Sequence, residues 1–109
     1  MIQENKIDAL TSLCPDVALI KDAGIDYISL PKLTFKSENT VRTMDALLCP
    51  VRHSGYATRL FLSEKIPGRG CNWTVHSILG RTWHTWSWNN VPDTLSPAQI
   101  LSAHIRALQ

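Results

Sequence analysis

The residue types that could do chemistry are concentrated in the last third of the chain. All four tryptophans lie between Trp73 and Trp88, with two histidines and two serines interleaved among them and two asparagines directly after. A serine or cysteine beside a histidine is the combination used in nucleophilic catalysis. Tryptophan is costly to leave in water, and its indole N–H needs a partner when it is buried. The cluster therefore indicates either the centre of the core or a surface built for binding.

Length and composition limit the classes of protein to which the chain can belong. Its 109 residues predict a single domain, 1–109, and 44% hydrophobic with 18% charged residues is typical of an ordinary soluble fold. A net charge of +2 is too weak to favour nucleic acid or an anionic membrane. There is no apolar run long enough to span a bilayer and no signal-peptide pattern, and an odd number of cysteines favours a reduced, cytoplasmic protein.

The elements that must position this cluster are predicted from hydrophobic periodicity. Helical spacing predicts a helix over 3–13, and two short strands flank a turn at 22–24. Further strands are predicted in 44–50 and 58–66. The tryptophan-rich segment 71–88 reads as a strand or as an irregular segment.

A C-terminal helix has the clearest signals in the sequence. Ser96 is its predicted N-cap, Pro97 its first helical residue, and Gln99 completes a capping box. Helices before and after about four antiparallel strands predict an α+β arrangement, with the helices packed on one face of the sheet. The predicted buried stripe of the helix is Ile100, Leu101, Ile105 and Leu108.

Three motifs, and their order along the chain, resemble the ubiquitin-conjugating (E2) family. The string GYATRLFLSEKIP at 55–67 is similar to the strand and flap of that family, and Leu95-Ser96-Pro97-Ala98 stands where the family has Trp-Ser-Pro-Ala. The block 83–87, WHTWS, resembles the bacterial proteins called prokaryotic E2 family E. Over residues 42–109 the resemblance implies a minimal UBC-like fold: N-terminal helix, four-stranded antiparallel meander, Trp-rich crossing segment and C-terminal helix.

The resemblance also implies a function. An E2-like carrier accepts the C-terminus of a ubiquitin-like protein from an E1-like adenylating enzyme and passes it to an amine of a target protein. These three proteins are the expected partners, with no cofactor, nucleic acid or membrane. The family's catalytic cysteine lies eight residues before the Trp of Trp-Ser-Pro, and counting back from Leu95 reaches Ser87. The His-Pro-Asn signature of the family is also missing.

The first hypothesis makes Ser87 the nucleophile, which would carry the ubiquitin-like protein as an oxyester. A serine hydroxyl needs a base, and His84 or His76 is the candidate. Asn89 and Asn90 could donate hydrogen bonds to the oxyanion. The alternative is that Ser87 is a polar strand residue whose side chain faces water.

The second hypothesis makes Cys71 the nucleophile, because a thiol is intrinsically better suited to this chemistry. Arg69, and His76 if it is protonated, could lower the pKa of Cys71. The alternative is an ordinary surface or half-buried cysteine. Cys49 and Cys14 are predicted to be packing residues.

The third hypothesis is a non-catalytic adaptor that docks an E1-like or ubiquitin-like partner. Trp73, Trp83 and Tyr56 are the candidate partner-binding residues, since tryptophan and tyrosine often anchor interfaces. Strand alternation would place Trp86 and Trp88 together in the core, leaving Trp83 and Trp73 partly exposed.

Two other classes of function are less favoured. The cysteine and histidine spacings contain no pair typical of a zinc site, so no metal is expected. A single-stranded nucleic-acid binder would combine a basic groove with aromatic platforms, and the low net charge opposes it. His53 and His104 are assigned no role. The residues that such a groove would use are Arg52, Arg59, Arg69, Arg81, Tyr56 and Trp73.

Overall fold

In the computed structural model, the described residues form an antiparallel sheet of six strands followed by one helix. The structure describes residues 10–11, 14–37, 40–50, 56–66, 73–86, 91–92 and 94–106. In chain order the elements are β1 (Ala18–Asp22), β2 (Ile25–Ser37), β3 (Thr40–Cys49), β4 (Arg59–Leu62), β5 (Thr74–Ile78), β6 (Arg81–Thr85) and α1 (Pro97–Arg106).

The sheet has the order β1-β2-β3-β4-β6-β5, and every neighbouring pair is antiparallel. The first four strands follow one another as hairpins. β6 then joins β4 where His84 lies opposite Leu62, which leaves β5 at the outer edge.

The predicted UBC-like fold is wrong. In place of a four-stranded meander between two helices, the described residues form a six-stranded sheet with a single short C-terminal helix. The physical reason lies in 71–88, where the described part is not a crossing segment but the hairpin β5–β6, which extends the sheet. The predicted helix over 3–13 lies mostly outside the described residues, and Leu10 occupies a short 3₁₀ turn.

Strand β2 continues through Pro31 by means of a β-bulge. Pro31 and Lys32 together lie opposite the single residue Asp45, and Lys32 has a φ of +55°. The extra residue reverses the alternation of side chains, so that Leu30 and Leu33 both point to the same core. Asp45 Oδ1 accepts a hydrogen bond from the Lys32 backbone N–H at 2.9 Å, which stabilises the bulge.

The sheet is buried on both faces. On the face that α1 covers, here called the helix face, a large apolar core includes Leu30, Leu60 and Ile100. All four residues of β4 are buried, as expected for a strand covered on both sides. The opposite face, here called the inner face, has a second apolar core that consists of Tyr27, Leu47, Cys49, Phe61, Ile78 and Trp83.

The sheet curls towards its inner face. The Leu79 N–H, in the β5–β6 turn, donates to Asp22 Oδ2 in β1 at 3.2 Å, although β1 and β5 are opposite edges of the sheet. Arg81 Nη1 donates to Asp45 Oδ2 at 3.0 Å, which joins β6 to β3 across the inner face. The curl lets a small sheet enclose its second core without another layer.

Helix α1 begins as the capping signals predict. The Gln99 N–H donates to Ser96 Oγ at 3.3 Å, and the Ser96 N–H donates to Gln99 Oε1 at 3.0 Å. Ile100 and Leu101 are buried in the helix-face core, and Ile105 is half-buried. This part of the prediction is confirmed for the described residues.

The described chain is compact, with a radius of gyration of 12.7 Å, close to the roughly 13 Å expected for a folded domain of about 100 residues. Its helix has ten residues, about half of what a bilayer crossing requires. Within the described ranges, no helix is long and apolar enough to cross a membrane.

The β1–β2 turn should be improved by the substitution Ala23→Asn. Ala23 and Gly24 both have positive φ, of 51° and 80°, which defines a two-residue type I′ turn. Asparagine tolerates this conformation better than alanine, so we expect the free energy of unfolding to rise by about 1 kcal/mol. Urea denaturation would measure it. Ala18→Asn, in the exposed strand β1, is the control and should give no gain.

Candidate functional site

The two candidate nucleophiles, Ser87 and Cys71, lie outside the described residues, and so do Asn89 and Asn90. The candidate bases are described. His84 is in β6 and His76 is in β5, both half-buried. The structure therefore shows where the two histidines lie relative to each other.

His76 and His84 lie on opposite faces of the sheet. His76 is paired with Trp83, whose side chain belongs to the inner-face core. His84 is paired with Leu62, whose side chain belongs to the helix-face core. Directly opposed residues of antiparallel strands share a face. The histidines therefore cannot act together at one site on the sheet.

His76 is held among aromatic and polar neighbours. Its ring meets that of Phe61 edge-on, with 5.4 Å between centroids, and its Nε2 lies 3.3 Å from Thr74 Oγ1. Burial, and then the positive charge of Arg59, lower the pKa of His76 below its ordinary value of 6.5. His76 is consequently neutral at physiological pH, which is the form in which a histidine can accept a proton.

Trp83 is buried at 4% exposure, so the expectation that it is partly exposed is wrong. Its indole N–H donates to the Ile78 carbonyl at 3.2 Å. The Arg81 guanidinium lies over its ring, with Cζ 4.6 Å from the centroid. Trp83 thus packs in the inner-face core, with the Arg81 guanidinium over its ring.

Trp86 joins the end of β6 to α1. It is 4% exposed, and its ring lies 5.2 Å from that of the half-buried Trp73 and 6.1 Å from that of His104. Trp73 is therefore the partly exposed member of this group, as expected. The contacts of Trp86 fix the chain immediately before Ser87.

A buried polar network next to Trp86 was not predicted. Thr58 Oγ1 lies 2.9 Å from His104 Nε2 and 2.9 Å from the Val91 carbonyl oxygen. The carbonyl can only accept, so Thr58 donates to Val91 and accepts from the His104 Nε2–H. Burial, with a smaller effect of the Arg59 charge, lowers the pKa of His104 to about 4. His104 is neutral, and it shows no sequence signal because Thr58 lies 46 residues away.

The outer edge of β5 presents an unpaired backbone within the described chain. Leu79 and Gly80 both have positive φ, so β5 and β6 are joined by a type I′ turn, and the residues that flank it, Ile78 and Arg81, form a hydrogen-bonded pair. Pairing alternates along the ladder. The N–H and C=O groups of Val75 and Ser77 therefore point away from β6.

The sequence of β5 has none of the side chains that usually protect an edge strand from pairing. β5 is T-V-H-S-I, without a charged residue, proline or bulge, whereas the other edge strand, β1, ends with Lys21 and Asp22. Val75 is 62% exposed. Leu79 is 49% exposed and has the left-handed conformation that asparagine or glycine normally occupies. Exposed apolar residues and backbone strain together mark a candidate binding edge.

A shallow cleft of about 200 Å³ lies on the inner face beside Leu79. Its base is apolar, and Arg81 and Asp45 neutralise each other at its rim. Its size suits a single side chain of a bound segment rather than a cofactor. The remaining lining residues are Ile20, Ser29, Pro31, Leu47 and Trp83.

The described cysteines and acids do not form a metal site. Cys14 and Cys49 are buried, as predicted, and the Cys14 thiol donates to the Pro31 carbonyl at 3.0 Å. Among the described residues, no three His, Cys, Asp or Glu side chains are grouped to hold a metal ion.

Comparison with known proteins finds no matching family model, no matching curated protein and no matching solved structure.

Acid should destabilise the protein through His104. Below pH 6.5 the unfolded chain binds a proton that the folded state excludes until about pH 4, so stability falls across this window. The expected loss is about 3 kcal/mol in total. Urea denaturation at a series of pH values would measure it, and His104→Gln should flatten the curve. Parallel curves for the two proteins would contradict the assignment.

Proposed function

We propose that the protein is a partner-binding adaptor of a ubiquitin-like conjugation pathway, which holds an extended segment of the ubiquitin-like protein along β5. The observation that carries this proposal is the unprotected edge of β5. Val75 and Ser77 direct their backbone groups outward, and Val75 is the most exposed large apolar side chain of the strand.

The edge sets the chemistry of the bound segment. Strand addition supplies main-chain hydrogen bonds whatever the sequence of the partner, and neighbouring side chains then select it. Since β5 carries no charge, an uncharged extended segment fits it best. Val75 and the partly exposed Trp73 would contact its apolar side chains, and the cleft beside Leu79 would receive one more.

The pathway is inferred from sequence resemblance, not from the fold. The motifs at 83–87 and 95–98 support a component that works with an E1-like enzyme and a ubiquitin-like protein. A chain that binds these partners would operate in the cytoplasm, as the cysteine content also suggests.

Blocking the edge of β5 should weaken binding without unfolding the protein. Ser77→Pro removes an outward N–H and leaves the β5–β6 ladder intact, and Val75→Lys adds a charge to the edge. We expect either variant to weaken binding to the ubiquitin-like protein by roughly tenfold or more, a loss of about 1.4 kcal/mol. Isothermal titration calorimetry would measure it.

The matched control for these variants is Thr82→Lys. It adds the same charge to the exposed side of β6, opposite Ser77, and leaves the backbone groups at the edge unchanged. Unchanged affinity in Ser77→Pro and Val75→Lys, with circular dichroism like that of the wild type, would contradict the binding mode.

A second candidate is the carrier itself, with Ser87 as the acyl acceptor. The specific observation that favours it is Trp86, whose contacts with Trp73 and His104 fix the chain one residue before Ser87. Acyl transfer requires the nucleophile to be held within a fraction of an ångström, and a buried tryptophan is a rigid neighbour. His84, in β6, is the candidate base.

If the carrier function holds, Ser87→Ala should abolish loading and leave the fold intact. The protein would be incubated with its E1-like enzyme, a ubiquitin-like protein and ATP, and examined by intact mass spectrometry. An adduct that resists dithiothreitol and is cleaved by hydroxide would indicate an oxyester, which peptide mapping would place. Unchanged loading of Ser87→Ala would remove this candidate.

The same experiment separates the remaining alternatives. An adduct cleaved by dithiothreitol would move the assignment to a cysteine, and Cys71→Ala would test it. A stable complex without any adduct would favour the adaptor.

A further inference from the structure

Arg59 is a buried cation that has no acidic partner among the described residues. It is 4% exposed at the start of β4. The ion pairs of the described chain join Lys21 to Asp26 and Arg81 to Asp45, and neither includes Arg59. Arginine is almost never fully buried unless it is paired, and its guanidinium cannot lose its charge at physiological pH.

The contacts of Arg59 are aromatic. Its Cζ lies 4.3 Å from the centroid of the half-buried Tyr56 ring and 6.0 Å from that of Phe61. A cation–π contact offsets only part of the cost of removing a guanidinium from water. Burial accordingly lowers the pKa of Arg59, the direction expected of an uncompensated cation.

One donor of the guanidinium has no acceptor among the described residues. The guanidinium carbon lies over the Tyr56 ring, whose π face attracts the charge but offers no oxygen acceptor to the N–H donors. The Nε atom is buried without a hydrogen-bond partner among the described residues. Nε–H and a neighbouring Nη–H together form the fork that binds two oxygens of a carboxylate or phosphate.

We propose that Arg59, stacked on Tyr56, is an oxyanion-binding site that takes a carboxylate or a phosphate group of a ligand. The anion would receive two parallel hydrogen bonds from the guanidinium in a partly dehydrated site, where the attraction between opposite charges is strong. The site is independent of the β5 edge, and it gives Tyr56 a role in ligand binding.

Neighbouring histidines report on the charge of this site. The positive charge of Arg59 is the second cause, after burial, of the lowered pKa of both His76 and His104. A bound anion would cancel that charge. The pKa of His76 should therefore rise when the site is occupied, and NMR titration of its ring protons can measure the rise.

The experiment compares sodium phosphate and sodium acetate with sodium chloride at constant ionic strength. Thermal unfolding of the wild type should show a higher Tm in the oxyanion, by roughly 10 °C when the free anion is about 100 times Kd. Phosphate acting alone would indicate a phosphate-bearing ligand. Acetate acting as well would indicate a carboxylate, such as a chain terminus or an acidic side chain.

Arg59→Met tests the residue itself. The substitution replaces a buried charge with an apolar side chain of similar length, so we expect its Tm in chloride to equal or exceed that of the wild type. It should lose the response to oxyanions. Arg81→Met is the matched control, because Arg81 also stacks on a ring but is paired with Asp45, and its response should persist.

Three results would overturn the proposal. The first is a Tm in phosphate and acetate no higher than in chloride, with no change in the pKa of His76. The second is an oxyanion response that survives in Arg59→Met. The third is a lower Tm of Arg59→Met together with an unresponsive wild type, which would show that the guanidinium is already paired within the chain. The NMR titration uses the wild type alone and decides the matter even if Arg59→Met fails to fold.

Discussion

The curvature of the sheet depends on Asp45. Its Oδ1 accepts the N–H of Lys32 in the bulge of β2, and its Oδ2 accepts a hydrogen bond from Arg81 in β6. Its carbonyl oxygen accepts the N–H of Ser63, directly after β4. The backbone N–H of Lys32, followed by the hydrogen bond from Arg81, lowers the pKa of Asp45, so the carboxylate is charged in the folded state. Asp45, in β3, is thus hydrogen-bonded through its side chain to β2 and β6 and through its backbone to the residue after β4.

The two apolar cores follow from this curvature. A flat sheet of six strands would need a further layer to cover the inner face, whereas the curled sheet covers it with its own hairpins. Because both faces of the sheet are covered, polar side chains between the two cores are buried. Thr58 and Arg59 are consecutive residues and point to opposite faces, one to His104 and the other to Tyr56. Thr58 is satisfied by its partners, whereas Arg59 lies over Tyr56 and has no acidic partner in the part of the chain that the structure describes. Such a local conflict is more typical of functional positions than of packing.

The parts of the fold that depend on local signals could be predicted from the sequence. The capping box at Ser96 and the turn at 22–24 act over a few residues, and both occur where the pattern places them. The hairpin β5–β6 was missed because its turn is Leu79–Gly80, which lacks the Asn-Gly or Asp-Gly signature of a type I′ turn. Trp83 is buried because it belongs to the inner-face core, which also gains the Arg81 guanidinium over the ring, and alternation along one strand does not show this packing. The network of His104 and the isolation of Arg59 arise from tertiary contacts, which no spacing encodes.

The two edges of the sheet differ in a way that packing does not require. β1 carries Lys21, paired with Asp26, and Asp22, which accepts the Leu79 N–H. β5 is as short as β1, yet it has an exposed valine and no charge. An edge of this kind lets a protein pair with other chains, and selection for solubility alone would place a lysine there. Because Val75 is 62% exposed, a charge at this position would cost the fold little, and the proposed strand addition depends on the uncharged edge that valine leaves.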